Sequence, residues 1–374
     1  MLQADECFVD PDIGRARTLP AGAFTDPEFL ERELATIFSR CWLPLPQPEQ
    51  DLPDLVRLRG SYAPVNLLGR PLFLQRDWEG KLRCLPNVCT HAWFPLVHGP
   101  GRERTIVCRQ HGRRFDSAGR YIGQPGFEGI PPCQDDHLKA LPVAEWRRLI
   151  FAALGEPAPP FGEVMREVDD SLACLPLDRL ERQPMAGEVR EVEGNWKQHA
   201  WNYMDVFHLA YIHRAPGGLA DAIDLGSYQT ELYAHSALQW AYAANPDYGF
   251  EPDLLPAHFR HLQRRVFALW WFIFPNLTLN FYPWGLSVNV YMPQPNRPDR
   301  TLFLWYHYVL DRERYARREE VWLNRQVDAE DVDAMRQVSR GLASGLAPRG
   351  RFAPKEETGP HWFHRLVYTS VFGS

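Results

Sequence analysis

Apolar and charged positions alternate with helical spacing in TDPEFLERELATIF (residues 25–38), where Phe29, Leu30, Leu34, Ile37 and Phe38 recur on one side. Thr25 and Glu28 stand at capping-box spacing, so the pattern predicts an amphipathic helix starting there. From about Trp42 to Phe151 the period shortens to β-type runs (62–68, 72–75, 105–107, 149–153) broken by Pro, Gly and Asp, as in a small all-β module. GEPAPPFGE (155–163) reads as a linker, because closely spaced prolines continue neither a ladder nor a helix. Beyond it, NWKQHAWNYMDVFHLAYIH (195–213) reads as a helix. Residues 266–293 and 301–310 read as apolar strands, and 313–344 as long helical structure. The expected organisation is α+β: a helical segment over 1–41 packing on the second domain, an all-β domain over 42–156 and a mixed domain over 161–374. There is no internal repeat or low-complexity segment.

Composition adds exclusions. With 374 residues, 45% hydrophobic and 24% charged, the chain has the make-up of an ordinary globular protein. A net charge of -6 without a Lys-rich run argues against nucleic acid as a partner. An acidic N-terminus without an apolar h-region, and no apolar run of about 20 residues, give the expectation of a cytoplasmic protein without a membrane span. Seven cysteines, an odd number over a long chain, fit metal ligation by a subset better than a disulfide framework.

Two constellations carry chemistry. Cys89-x-His91 is followed, after sixteen residues, by Cys108-x-x-His111, with a short strand between the pairs. Two thiolates for one iron and two imidazoles for the other make up the ligand set of a Rieske [2Fe–2S] cluster. Zinc also takes two Cys and two His, but zinc fingers pair like with like, whereas here each loop offers one of each. His111-Gly112-Arg113-Arg114-Phe115-Asp116 supplies a tight turn behind the second pair. In the second constellation, Asp205 and His208 share a helix face, while His213 lies five residues on, about 140° round an ideal helix. The imidazoles converge only if the helix ends or turns irregularly, and residues 214–218 (RAPGG) supply such an ending. Two His and a carboxylate form the facial triad of non-haem Fe(II) oxygenases; Asp328, Glu330, Asp331 and Asp333 all offer the carboxylate, and a solvated acidic helix face is the plain alternative for each.

On these motifs the chain resembles the catalytic (alpha) subunits of the Rieske non-haem iron oxygenases, with a likeness running from the TDPEF helix to Trp362-Phe363-His364. It departs from the family's pattern at Ala92-Trp93, where Arg-Gly is usual, at Arg113, where Trp is usual, and at Ser339, where Gln is usual. The resemblance implies an all-β Rieske domain beside a helix-grip (START-like) catalytic domain with an antiparallel sheet. It implies a [2Fe–2S] cluster on Cys89, His91, Cys108 and His111, and mononuclear Fe(II) on His208, His213 and Asp331. Asp205 would link the two metal centres between protomers of a homotrimer or a multiple of it. Electrons would come from NAD(P)H through a flavin reductase or ferredoxin, with O₂ as co-substrate. Residues 274–289 (FPNLTLNFYPWGLSVN) and the terminal Arg340-Gly341-Leu342 pattern look most like subunits oxidising quaternary amines such as choline, carnitine or betaines, where an aromatic cage would hold the cation. Aromatic or heteroaromatic ring hydroxylation is the alternative activity, and a non-catalytic helix-grip binder with a zinc module a minor one. Trp270, Trp271, Phe272, Phe274, Phe281, Tyr282, Trp284 and Tyr291 divide between core and pocket by strand alternation; Asn202, Phe207, Trp271, Tyr282 and Trp284 are the candidate pocket residues.

Overall fold

The computed structural model describes residues 2–47, 51–156, 159–213, 216, 218–261, 263–321 and 324–373, except the side chains of 185, 186, 320, 321 and 324–326. Contacts divide the chain into Phe38–Ala158 and a second unit of Met1–Ile37 with Pro159–Ser374. The first boundary falls before position 41 because Leu43 pairs with Ala152, which draws the preceding residues onto the β module. Of the 155–163 linker, residues 157 and 158 lie outside the described residues, as do 214, 215 and 217 of the 214–218 segment.

The Phe38–Ala158 unit is built from β1 (Leu43–Pro44), β2 (Ser61–Leu67), β3 (Arg70–Arg76), β4 (Leu82–Pro86), β5 (Gly101–Arg102), β6 (Thr105–Val107), β7 (Arg114–Asp116), β8 (Tyr121–Gly123), β9 (Val143–Trp146) and β10 (Leu149–Ala152). They form three antiparallel sheets ordered β1-β10-β9, β4-β3-β2-β5 and β6-β7-β8. Phe73, Leu85, Ile106 and Phe115 form a buried core that also contains Cys89 and Cys108. The cysteine loops are thereby anchored from below.

The other unit carries a seven-stranded antiparallel sheet of β11 (Glu181–Glu193), β12 (Gln229–Leu232), β13 (Ser236–Tyr242), β14 (Val266–Ile273), β15 (Leu277–Tyr282), β16 (Gly285–Gln294) and β17 (Arg297–Val309), ordered β11-β17-β16-β15-β14-β13-β12. Period-two alternation splits the aromatic strands, as expected. Gln239, Trp270, Asn280, Ser287 and His307 are successive cross-strand partners on one face, with Tyr282, Asn289, Tyr291, Phe303 and Trp305 beside them. Trp271, Leu279, Val288, Leu304 and Tyr306 on the opposite face are buried.

Helix α1 (Pro27–Glu33) is capped one residue later than expected: Asp26, not Thr25, accepts from the Glu28 N–H at 2.9 Å, and Pro27 starts the helix without needing a donor. A π-helical turn, Leu34–Phe38, follows. The single helix expected over 195–213 is two, α2 (Trp196–Met204) and α3 (Leu209–Ile212). Asp205 takes an extended backbone and its carboxylate accepts from the Phe207 N–H at 2.8 Å, so a local turn outcompetes the helix there. Helix α4 (Asn324–Ala343) lies within the predicted helical stretch, and α5 (Thr358–Phe372) meets α2 through Trp196 and Phe363, whose ring centroids are 5.7 Å apart. Among the described residues no helix is long and apolar enough to cross a membrane.

Candidate functional site

The two loops of the β unit are built alike. The Trp93 N–H donates to Cys89 O at 3.0 Å, and the Gly112 N–H donates to Cys108 O at 3.0 Å, each closing a tight turn around a histidine. Gly112 takes φ +69°, and Trp93 occupies the matching left-handed position at φ 61°. Cys89 and Cys108 are buried, not disulfide-linked, and hydrogen-bonded to each other; burial pushes the Cys89 thiol up. His91 and His111 are exposed with ring centroids 4.8 Å apart. Two thiols at the base and two imidazoles at the rim suit a cluster whose irons have unlike ligands. Arg113, 2% exposed, is paired with Asp136 and donates to Gln124 Oε1 at 3.0 Å, and the Gln124 side-chain nitrogen lies 3.1 Å from His91 Nδ1.

In the other unit the break at Asp205 sets His208 and His213 on either side of α3. Their Nε2 atoms are 3.3 Å apart, and Asp331 Oδ1, from α4, lies 3.5 Å from the first and 3.2 Å from the second. Donors about 2.1 Å from one ion at right angles would be about 3 Å apart, so the spacing fits a shared metal. The surroundings orient these atoms: Asn202 Nδ2 donates to Asp331 Oδ1 at 2.9 Å. Glu330 Oε2 lies 2.8 Å from His213 Nδ1, and Asp205 Oδ2 lies 3.4 Å from His208 Nδ1. A proton on each Nδ1 leaves each Nε2 lone pair free for a cation. Burial pulls the His208 proton affinity down, but hydrogen bonds and attraction to Asp205 and Asp331 outweigh it and raise the group to about 9. Against burial, the two imidazoles hold the Asp331 carboxyl far below its ordinary range. The triad therefore favours a positive charge at its centre.

A cavity of about 400 Å³ opens beside the triad, lined by the aromatic and amide face of the sheet. Asn202 and Tyr282 line it. Three other candidate pocket residues do not: Trp271 is on the opposite face, stacked on Tyr233; Phe207 is exposed; Trp284 lines a neighbouring cavity. Strand parity explains Trp271, and the broken helix explains Phe207. A solvated acidic face does not describe Glu330, bonded to His213, or Asp328, which pairs with Arg190. His307, Tyr315 and Arg318 also line the cavity; only the two-residue spacing of Phe303, Trp305 and His307 pointed to one of them.

Residues 178–371 match the family described as the ring hydroxylating alpha subunit (catalytic domain), and residues 47–137 match the Rieske [2Fe–2S] domain. The chain is 28% identical to the chloroplastic choline monooxygenase of Arabidopsis thaliana, over 97% of this chain and 85% of the relative. It is 22% identical to the carnitine monooxygenase oxygenase subunit of Escherichia coli (strain K12), over 94% and 93%. A solved quaternary ammonium Rieske monooxygenase, described with carnitine oxidation and inter-subunit electron transfer, superposes with a TM-score of 0.77 at 21% identity, covering 99% of this chain and 98% of that one. A naphthalene 1,2-dioxygenase bound to phenanthrene gives 0.73 at 19%, covering 99% and 95%. The chain is thus a Rieske non-haem iron oxygenase, a member of the ring-hydroxylating alpha-subunit family, with a [2Fe–2S] domain and a catalytic domain for mononuclear iron.

Proposed function

We propose that the chain hydroxylates or oxidatively demethylates a quaternary amine, using the cavity beside His208, His213 and Asp331. The observation that carries this reading is the wall of that cavity, where Tyr203, Tyr228, Trp270, Tyr282, Tyr291 and Trp305 present ring surface next to the triad. Aromatic faces attract a cation that cannot donate hydrogen bonds, and the names of the choline and carnitine relatives point the same way. Cys89, His91, Cys108 and His111 would hold the cluster; His208, His213 and Asp331 would hold the iron.

When bound, these groups supply electrons and O₂ activation: one oxygen atom enters a C–H bond and the other leaves as water, with two electrons and two protons consumed. The protein positions the substrate and shapes its surroundings. Asn202 fixes Asp331, Glu330 fixes the tautomer of His213, and the phenols, kept protonated by burial, line the aromatic and amide wall of the cavity. A homotrimer or a multiple of it, with Asp205 between the centres of neighbouring copies and a flavin reductase or ferredoxin as donor, belongs to the same reading. The inter-subunit transfer described for the quaternary ammonium monooxygenase supports it.

The test is turnover of purified protein with NADH, O₂ and a heterologous Rieske reductase. The proposal expects substrate-dependent NADH and O₂ consumption with choline, carnitine or another trimethylammonium compound, and an oxidised product. Hydroxylation of indole or naphthalene with no turnover of any trimethylammonium compound would replace it with the ring-hydroxylating reading.

A further inference from the structure

Aromatic contacts run from the wall of this cavity to Trp284, which lines the neighbouring one. Tyr228 stacks on Trp270 at 5.7 Å, Trp270 Nε1 donates to Tyr282 Oη at 3.1 Å, and Tyr282 stacks on Trp284 at 5.2 Å. The series ends at His307, whose ring is 5.0 Å from both Trp284 and Trp305. The chemistry changes there. His307 is 2% exposed and lines the cavity; its Nδ1 lies 3.0 Å from Tyr315 Oη, while its Nε2 has no partner among the described residues. Arg318 also lines the cavity and lies over the Tyr315 ring, 4.1 Å from its centroid. Its Nη1 donates to Tyr315 O at 2.9 Å and its Nη2 is 3.7 Å from Glu319 Oε1, but its buried Nε has no partner among the described residues.

We propose that His307 Nε2 and Arg318 Nε form a carboxylate subsite, so that the substrate of this chain is a zwitterionic trimethylammonium acid, with its cation on the aromatic wall and its carboxylate at His307 and Arg318. This rests on the quaternary-amine reading and narrows it. Burial and the nearby cations of Arg318 and Arg182 lower His307 to about 3, so the ring is neutral and bears one N–H. The subsite requires the tautomer in which the Tyr315 hydroxyl donates to Nδ1, which puts that N–H at Nε2. Two buried N–H donors without acceptors, one on a guanidinium, call for a group with two acceptor oxygens and a negative charge. The alcohol of choline offers one uncharged oxygen and leaves one donor unpaired. Glu319 faces Arg318 from the same wall and neutralises part of its charge, yet it does not reach Nε.

The experiment is calorimetric titration of the anaerobic, reduced holoenzyme with γ-butyrobetaine and with the trimethylammonium alcohol of the same chain length. The wild type is expected to bind the acid about tenfold or more tightly than the alcohol, and R318Q and H307F to bring that ratio towards one. If H307F does not fold, R318Q, at a half-buried position, decides alone. Equal binding of acid and alcohol, or variants that weaken both alike, would overturn the carboxylate subsite and leave the quaternary-amine reading in place. Binding of indole with no binding of either trimethylammonium compound would overturn both.

Discussion

Trp93 shows how one residue departs from its family's pattern without disturbing the ligands. It takes φ 61°, the conformation Gly112 takes in the companion loop, and its side chain is 82% exposed. A left-handed backbone costs a non-glycine residue about 1–2 kcal/mol, and an exposed indole repays little of it. Trp93→Gly should therefore stabilise the β unit by about 0.5–1 kcal/mol net of glycine's greater unfolded entropy, seen as a higher denaturation midpoint. A lower midpoint would mean that the indole packs on something in the assembled protein. Arg113, another departure, is buried against Asp136 rather than displayed. The cluster motif itself was legible because two Cys and two His at fixed spacing have few other uses. Asp331 was not distinguishable from three neighbouring carboxylates by residue type, and only resemblance chose it. Glu330, His307 and Arg318 went unassigned because their roles depend on strand parity and on a fold that brings residues over a hundred positions apart into contact.

At the scale of elements, Asn195, Trp196 and Lys197 tie two helices together. Asn195 caps α2, and Lys197 Nζ donates to Asn195 Oδ1 at 2.7 Å and to Glu33 of α1 at 2.9 Å. Trp196 Nε1 donates to the same Glu33 carboxylate at 3.0 Å. Glu33 and Lys197 are fully buried, so this pair fastens the N-terminal helix to the helix that leads towards the His208, His213 and Asp331 triad. Lys197→Ala strands a buried carboxylate and should cost about 3–5 kcal/mol in urea unfolding, with part recovered by adding Glu33→Gln. A loss below about 1 kcal/mol would show that water or another cation reaches Glu33. Strands β14 to β17 were legible because both faces are buried and their runs are apolar. Strand β11 was not: it is an edge strand rich in charged residues, ERQPMAGEVREVE, with a register shift between Arg182 and Gly187. The break at Asp205 was hidden because Val-Phe-His-Leu continues a helical pattern, and only an Asx turn, which sequence spacing cannot distinguish from a helix, ends it.

For the molecule as a whole, buried neutral histidines set a pH dependence. His364 in α5 is fully buried, accepts from the Leu19 N–H at Nδ1 at 3.0 Å, and is lowered from 6.5 to about 3 by burial and then by Lys197, His361 and Arg349. Unfolded, it binds a proton that the fold refuses. Its contribution is therefore complete above pH 6.5 and is lost as pH falls towards 3, with a slope approaching about 1.4 kcal/mol per pH unit. Urea midpoints measured from pH 7 to pH 5 should fall for the wild type and fall less for His364→Gln; equal slopes would mean that water reaches the ring. The family assignment also removes the zinc-module binding protein as a reading of the chain. What remains is the pairing of cluster and iron, which one measurement tests most directly: iron and acid-labile sulfide per chain, with EPR after dithionite reduction, for anaerobically purified wild type and Asp331→Ala. About three irons and two sulfides are expected in the wild type, with the low average g value of a His-ligated cluster, and loss of about one iron but no sulfide in the variant. Zinc without labile sulfide, or a variant that keeps all its iron, would contradict that pairing.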